Sequence, residues 1–148
     1  MKFRTLLASV MTGLAVAVTA GQAPASAAPA WVETIASGTR AVDGGVCASL
    51  DFVAFGCFER DGDVLTLVDE AADGHSAAIV WQNFVDGALY RRGACVEKRG
   101  KDVQGGCNMN FKEGSEIQIK ACSYEAGASG NVADKIVTCG LSSRAFKA

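Results

Sequence analysis

Six cysteines constrain this 148-residue chain more than any other feature. They stand at Cys47, Cys57, Cys95, Cys107, Cys122 and Cys139. An even set in a short chain reads as a disulfide framework, and such frameworks persist in oxidising compartments. No CxxC pair occurs and His75 is the single histidine, so the set lacks the spacing of a zinc site. Geometry limits the first pair. A straight strand would hold Cys47 and Cys57 about 33 Å apart, at roughly 3.3 Å per residue, whereas a disulfide tolerates about 7 Å between Cα atoms. If they are bonded, the chain folds back near residues 49–51. We expect neighbours to pair, Cys47 with Cys57, Cys95 with Cys107 and Cys122 with Cys139, each bond straddling a turn or loop between adjacent strands. Closing a loop of about 15 residues contributes on the order of 3 kcal/mol, largely by restricting the unfolded chain.

The first residues agree with an oxidising destination. Met1-Lys2-Phe3-Arg4 is a basic head, residues 6–20 are apolar and uncharged, and GQAPASAA closes the stretch with small residues. That order is the order of a secretory signal peptide. Ala25-Ser26-Ala27 fits the small-x-small rule, which places the cut after Ala27 and leaves residues 28–148 as one secreted, extracellular domain. The apolar core is shorter than the roughly 20 residues of a membrane span, and no lipid-attachment cysteine lies near the cut. Removing Lys2 and Arg4 leaves 12 basic against 16 acidic residues. An acidic domain does not suit nucleic acid, whose affinity rests on phosphate contacts. No membrane insertion and no cofactor is called for.

Residues 57–84 form the centre of the chain. Val64-Leu65-Thr66-Leu67-Val68 is apolar on both faces, which predicts a strand buried between layers. Ala77, Ile79 and Trp81 alternate with Ala78, Val80 and Gln82 on a second strand. The turn at residues 69–75 joins the two as a hairpin, with Trp81 as the central core aromatic. Asp61-Gly62 carries the dipeptide of a type I′ turn. Residues 28–45 read as an N-terminal arm, loosely packed, with Trp31-Val32-Glu33-Thr34-Ile35 as its one strand candidate. Val85-Asp86-Gly87 opens a long connection to Cys95, and residues 96–106 are polar and glycine-rich, a surface loop. Cys107, Met109 and Phe111 share one strand face. The cleanest alternation lies at residues 116–121, with Ile117, Ile119 and Ala121 inward and Glu116, Gln118 and Lys120 outward. Residues 123–133 read as a loop, and a last strand runs from Cys139 towards Phe146. No stretch shows sustained helical spacing. Six to eight short strands between glycine-rich turns predict an all-β fold, an antiparallel β-sandwich or compact barrel stapled by three disulfides.

The strings GCFERDGDVLTLVDEAADGHSA, GACVEKRG, GGCNMNF, KACSYE and VTCGLSS, behind a signal peptide, resemble small secreted disulfide-containing proteins common in actinobacteria. The likeness covers residues 56–143. It implies export and the β architecture, and it transfers no site, because those proteins bring no established activity. The Cys47–Cys57 spacing and the acidic, alanine- and glycine-rich composition are loosely similar to the apoproteins of enediyne chromoproteins, without a shared motif.

Candidate chemistry is sparse. His75, the one histidine, sits in a polar turn before a strand, and no GxSxG elbow supplies a nucleophile for it. Asp43, Asp51, Glu59, Asp61, Asp63, Asp69, Glu70 and Asp73 are concentrated early. Paired carboxylates serve glycosidic acid–base work or calcium, but Leu65 breaks the EF-hand pattern and solvated turns account for the residues. A stretch at residues 90–101 gathers Arg91, Arg92, Lys98, Arg99 and Lys101 against Glu97. A disulfide-bracketed basic loop is the format of an inhibitor of trypsin-like secreted proteases, and a basic patch also meets an anionic cell-wall polymer by electrostatics. Tyr90, Tyr124 and Trp31 are candidates for a platform on which sugar rings stack, with burial as the competing fate of aromatics. We therefore expect a non-catalytic binding or interaction domain, with a protease inhibitor and a small secreted hydrolase as competing classes.

Overall fold

The computed structural model describes residues 27–148, so the signal-peptide reading of residues 1–27 falls outside the described residues except for Ala27. Ten strands form: β1 (Trp31–Ile35), β2 (Val46–Leu50), β3 (Ala54–Glu59), β4 (Val64–Asp69), β5 (Ser76–Val85), β6 (Ala88–Glu97), β7 (Gln104–Asn108), β8 (Glu116–Tyr124), β9 (Ile136–Cys139) and β10 (Phe146–Lys147). A four-residue helix, α1 (Val132–Lys135), precedes β9. The strands make two facing sheets. One runs β1-β6-β5-β8-β10, with β9 also on β8; the other runs β2-β3-β4-β7. The fold is an all-β sandwich, not a closed barrel, and it exceeds the expected six to eight strands.

The central run makes a different connection from the expected hairpin. β4 and β5 lie in opposite sheets, so residues 70–75 arch from one layer to the other. Gly74 supplies a positive φ of 85° there, and the Asp73 carboxylate accepts the His75 backbone N–H at 2.9 Å. The long connection expected after Val85 is instead a tight hairpin. Asp86 (φ 51°) and Gly87 (φ 77°) are both left-handed, and Val85 pairs with Ala88. Two positive φ values in a two-residue loop are the type I′ turn whose twist matches the flanking strands. At Asp61-Gly62 the positive values fall on Gly62 and Asp63, within a four-residue loop between β3 and β4. The type I′ hairpin thus belongs to Asp86-Gly87.

Two further expectations change. The N-terminal segment is not loose between Trp31 and Ser37. β1 lies parallel to β6, the one parallel pairing in the molecule's described residues, so the sheet is mixed. Ala36 is buried, and Ser37 exchanges backbone hydrogen bonds with Gly106 of β7. The chain therefore crosses from the edge of one sheet to the edge of the other and covers both edges. The strand expected through Phe111 ends at Asn108, and Asn110 takes a left-handed φ of 47°. Met109 and Phe111 are buried all the same.

All three expected disulfides form, and no free cysteine is present among the described residues. Cys47 and Cys57 face each other across the β2–β3 hairpin, and Cys122 and Cys139 across β8 and β9. Cys95 and Cys107 do not join strands of one sheet. They tie β6 to β7 across the sandwich, with both residues buried.

The core packs Phe58, Leu65 and Leu67 against Ile79, Trp81, Ile117 and Ile119. Trp81 is fully buried and meets Phe111 edge-on at 5.2 Å between centroids. Its cross-strand partner is Gly93. A Cβ on Gly93 would lie 2.6 Å from the indole and 2.2 Å from the Val32 carbonyl oxygen. Only glycine lets the ring lie flat against β6 while β1 closes from the other side. The Gly93→Ala protein should therefore lose about 1–3 kcal/mol, read as a lower urea midpoint at unchanged slope. An unchanged midpoint would show that the indole is not held this way. Replacing Cys95 and Cys107 together with alanine should cost about 3 kcal/mol, and more than removing the Cys47–Cys57 bond, because only the former pins the two layers together.

Candidate functional site

The five basic residues expected in one loop are divided by the fold. Arg91 and Arg92 lie on β6, while residues 98–103 form the short connection to β7. Arg91 donates to the Met109 and Asn110 carbonyls and stacks 5.5 Å from the Trp81 ring centroid and 5.7 Å from that of Phe111. It closes one end of the core. Arg99 is folded back on Glu97, a buried carboxylate that accepts from its backbone N–H and its guanidinium, and it also donates to the Gly38 and Gln104 carbonyls. Lys98 pairs with Glu33 at 3.0 Å, and Lys101 with Asp102 at 3.5 Å. These groups brace the sheet edges and present no shared basic loop.

The early carboxylates do not converge either. Glu59 pairs with Arg40, and Asp73 serves its own turn. Asp69 is buried, and that burial raises its pKa against the hydrogen bond from Ala71, with Asp73, Glu97 and Asp102 adding to the rise. Among the described residues no group of three or more His, Cys, Asp or Glu side chains is placed to hold a metal ion. Among the described residues the His75 ring meets only Glu125, at 3.1 Å on the surface.

The outer face of the six-stranded sheet is different. Alternation turns Ala78, Val80 and Gln82 of β5 away from the core, together with Arg92 and Ala94 of β6 and Gln118, Lys120 and Cys122 of β8. The registers align them in rows. Trp31 is opposite Arg92, Arg92 opposite Gln82, and Gln82 opposite Gln118. The next row runs Glu33, Ala94, Val80, Lys120. Beyond it, Val96, Ala78, Cys122 and Tyr124 are buried with Val132 in a second apolar cluster. The covering segment contains α1 and β9. Asn131 caps α1 with its side chain on the Ala133 N–H, and Asp134 returns a bond to the Asn131 N–H.

The cover ends at Cys139, and beside that step lies a groove of about 250 Å³. Trp31 and Ile136 wall it, Val80 floors it, and Gln82, Gln118 and Lys120 line it. Among the described residues, neither glutamine amide nor the Lys120 ammonium has a hydrogen-bond partner, and no carboxylate lines the groove. Arg92 stacks on Trp31 at 4.7 Å and gives its Nε–H to the Pro29 carbonyl at 2.8 Å. The expected aromatic platform is thus split. Trp31 stands at the groove, Tyr90 is 57% exposed beside the β-bulge, and Tyr124 is fully buried.

Gln82, Gln118 and Lys120 were legible as outward positions of alternating strands. Their convergence was not, because it depends on β5 and β8 being neighbours and on β1 docking parallel to β6.

Glu33 holds the Trp31 wall in place. Its carboxylate accepts from Tyr124 Oη at 2.6 Å, Lys135 Nζ at 2.8 Å and Lys98 Nζ at 3.0 Å. Burial pushes its pKa up, but the bonds from Lys135, Tyr124 and Lys98 and the Lys98 charge prevail and hold it at about 2, below the ordinary 4.5. Burial, then the bond to Glu33, raises the Tyr124 phenol. A carboxylate depressed in the folded state stabilises fully above its unfolded pKa and loses that contribution as pH falls through the folded one. The thermal unfolding midpoint should therefore fall from about pH 4.5 towards pH 2 more steeply in the native protein than in Glu33→Gln. Parallel curves would remove Glu33 as the acid-sensitive tie.

Compared with known proteins, the chain matches no family model, no curated protein and no solved structure.

Proposed function

We propose that this is an exported, non-catalytic binding domain that takes a saccharide segment of a cell-wall polymer in the groove between Trp31, Gln82, Gln118 and Lys120. The three disulfides fit an oxidising environment, and the head of the chain supplies the export route, with cleavage near Ala27. The resemblance to small secreted actinobacterial proteins agrees with that route.

One observation carries the binding reading: unengaged polar groups converge beside an aromatic wall and an apolar floor. Ligand sites combine such a lining with a few placed polar groups. Carbon-bound hydrogens on one side of a sugar ring suit an indole, while its hydroxyls need donor and acceptor together, which a glutamine amide provides. The groove is smaller than the roughly 300–1,000 Å³ of clefts that enclose drug-sized ligands, and it is open. That shape suits one unit of a longer chain.

A catalytic reading finds less support, since among the described residues no nucleophile meets His75 and no carboxylate lines the groove. An inhibitor reading is weakened by the ties on Arg91 and Arg99, whose terminal guanidinium nitrogens are held by carbonyls and by Glu97.

Co-sedimentation of the oxidised protein, residues 28–148, with purified, protein-free bacterial cell wall tests the proposal. Retention should fall roughly ten-fold or more in Trp31→Ala and in the Gln82→Ala/Gln118→Ala pair, a loss of about 1.4 kcal/mol or more. Circular dichroism should stay native. No retention of the unaltered protein, or equal retention of the variants, refutes the site.

A further inference from the structure

We infer that the groove selects an acidic saccharide, one bearing carboxylate or phosphate oxygens, with Lys120 in its lining and Arg92 at its Trp31 rim as the recognition pair. This rests on the binding reading above and adds the ligand's charge.

The case begins with how Arg92 is held. Its guanidinium lies over the Trp31 ring at 4.7 Å, and its Nε is committed to the Pro29 carbonyl at 2.8 Å. Both terminal Nη groups have no partner among the described residues. Stacking and the Nε bond fix the plane of the fork, so little side-chain freedom remains to be lost when an anion arrives. A planar fork with both Nη groups unengaged matches two oxygens of a carboxylate or phosphate, the stronger charge-assisted class of hydrogen bond.

Lys120 supplies the second charge. It is exposed on β8 beside Val80, it lines the groove, and it has no acidic partner among the described residues. Arg92 and Lys120 are separated by the β5 strand and by two residues along it. At strand spacings of about 4.8 Å and rises of about 3.4 Å their Cα atoms are roughly 12 Å apart. The pair can engage anionic groups at two places along one bound chain.

The neighbouring carboxylates do not cancel this field. Glu33 is shared among Lys98, Lys135 and Tyr124, and Glu116 pairs with Lys147 at 3.2 Å. The groove is therefore locally cationic on a domain with 12 basic and 16 acidic residues. A local field opposite to the net charge guides an anion to this face and away from the rest of the surface.

The test uses trigalacturonic acid, its methyl ester and a glycerol-phosphate oligomer as probes, titrated calorimetrically into the oxidised protein at low and at high salt. The ester keeps the rings and removes the charge. The acid should bind at least ten-fold tighter than the ester, with the gap narrowing as salt screens it. Arg92→Gln and Lys120→Gln should each close most of the gap, and Arg92→Lys should restore only part of it. Lys120 is exposed, so Lys120→Gln reports on charge even if Arg92→Gln disturbs Trp31. Tighter binding of the glycerol-phosphate oligomer than of the acid would overturn the inference, because that chain carries phosphate but no sugar ring. Equal binding of acid and ester, or variants that leave the gap intact, would overturn it while the binding reading stands. Wall retention without binding of any anionic probe would do the same. No wall retention and no probe binding would remove both.

Discussion

Everything in this molecule depends on how Trp81 is seated. Its indole fills the middle of the sandwich, lies across Gly93, meets Phe111 edge-on and carries the Arg91 guanidinium over its face. A buried aromatic of this size removes more apolar surface from water than any neighbour can, so the strands around it are fixed by its shape. Gly93 must be glycine for the ring to lie down, and that same absence of a side chain lets the Val32 carbonyl approach from β1. One contact thus sets both the thickness of the core and the docking of the N-terminal strand. The Cys95–Cys107 bond sits two residues along β6 and locks the opposite sheet to this arrangement.

That docking explains why so much of the fold could be read from the chain and why certain parts could not. Alternation at residues 116–121 identified the inward Ile117 and Ile119, and Trp81 was legible as the central aromatic, because a two-residue period reports burial directly. Tertiary pairing left no such trace. Residues 88–97 carry Tyr90, Arg91 and Arg92 beside one another, a polar run that looks like a loop. It is a strand because Arg91 and Arg92 each find carbonyl oxygens and an aromatic ring on opposite faces of the sheet. The residues 70–75 looked like a hairpin turn because turn chemistry is local, while the choice between pairing within a sheet and crossing between sheets is made by distant strands. β6 and β8 already flank β5, so β4 has no free edge there.

The candidate groove shows the same division. Each of Gln82, Gln118 and Lys120 reads as an outward position on its own strand. Their meeting requires the order β6-β5-β8 and the registers that align Arg92 with Gln82 and Gln82 with Gln118. Trp31 joins them only through the parallel β1–β6 pairing, which no local pattern announces. Glu33, the residue that braces this wall, carries no signal beyond its outward position, since its partners Lys98, Tyr124 and Lys135 come from three other parts of the chain.

The outer face of the larger sheet changes character along its strands, and the change accounts for the groove. Ala78, Ala94, Val96 and Cys122 are small or apolar and buried with Val132 of α1, and Ile136 and Cys139 of β9, the strand paired alongside β8, pack against them. Gln82 and Gln118 continue the same strands beyond that cover, half-buried, and Arg92 beside them lies against Trp31. Strand positions favour β-branched and aromatic side chains, and a bare sheet face needs polar groups but no particular ones. Two glutamines and an arginine in one cross-strand row, beside the apolar Val80, make a surface that is wettable yet can give up its water to a ring with hydroxyl groups. The Cys122–Cys139 bond holds the rim of the cover next to this row. A cover one strand wider would have buried the amides without partners, at roughly 1–3 kcal/mol for each unsatisfied group. The step between covered and open sheet is therefore the arrangement in which both halves of the face are satisfied, and the groove is its direct consequence.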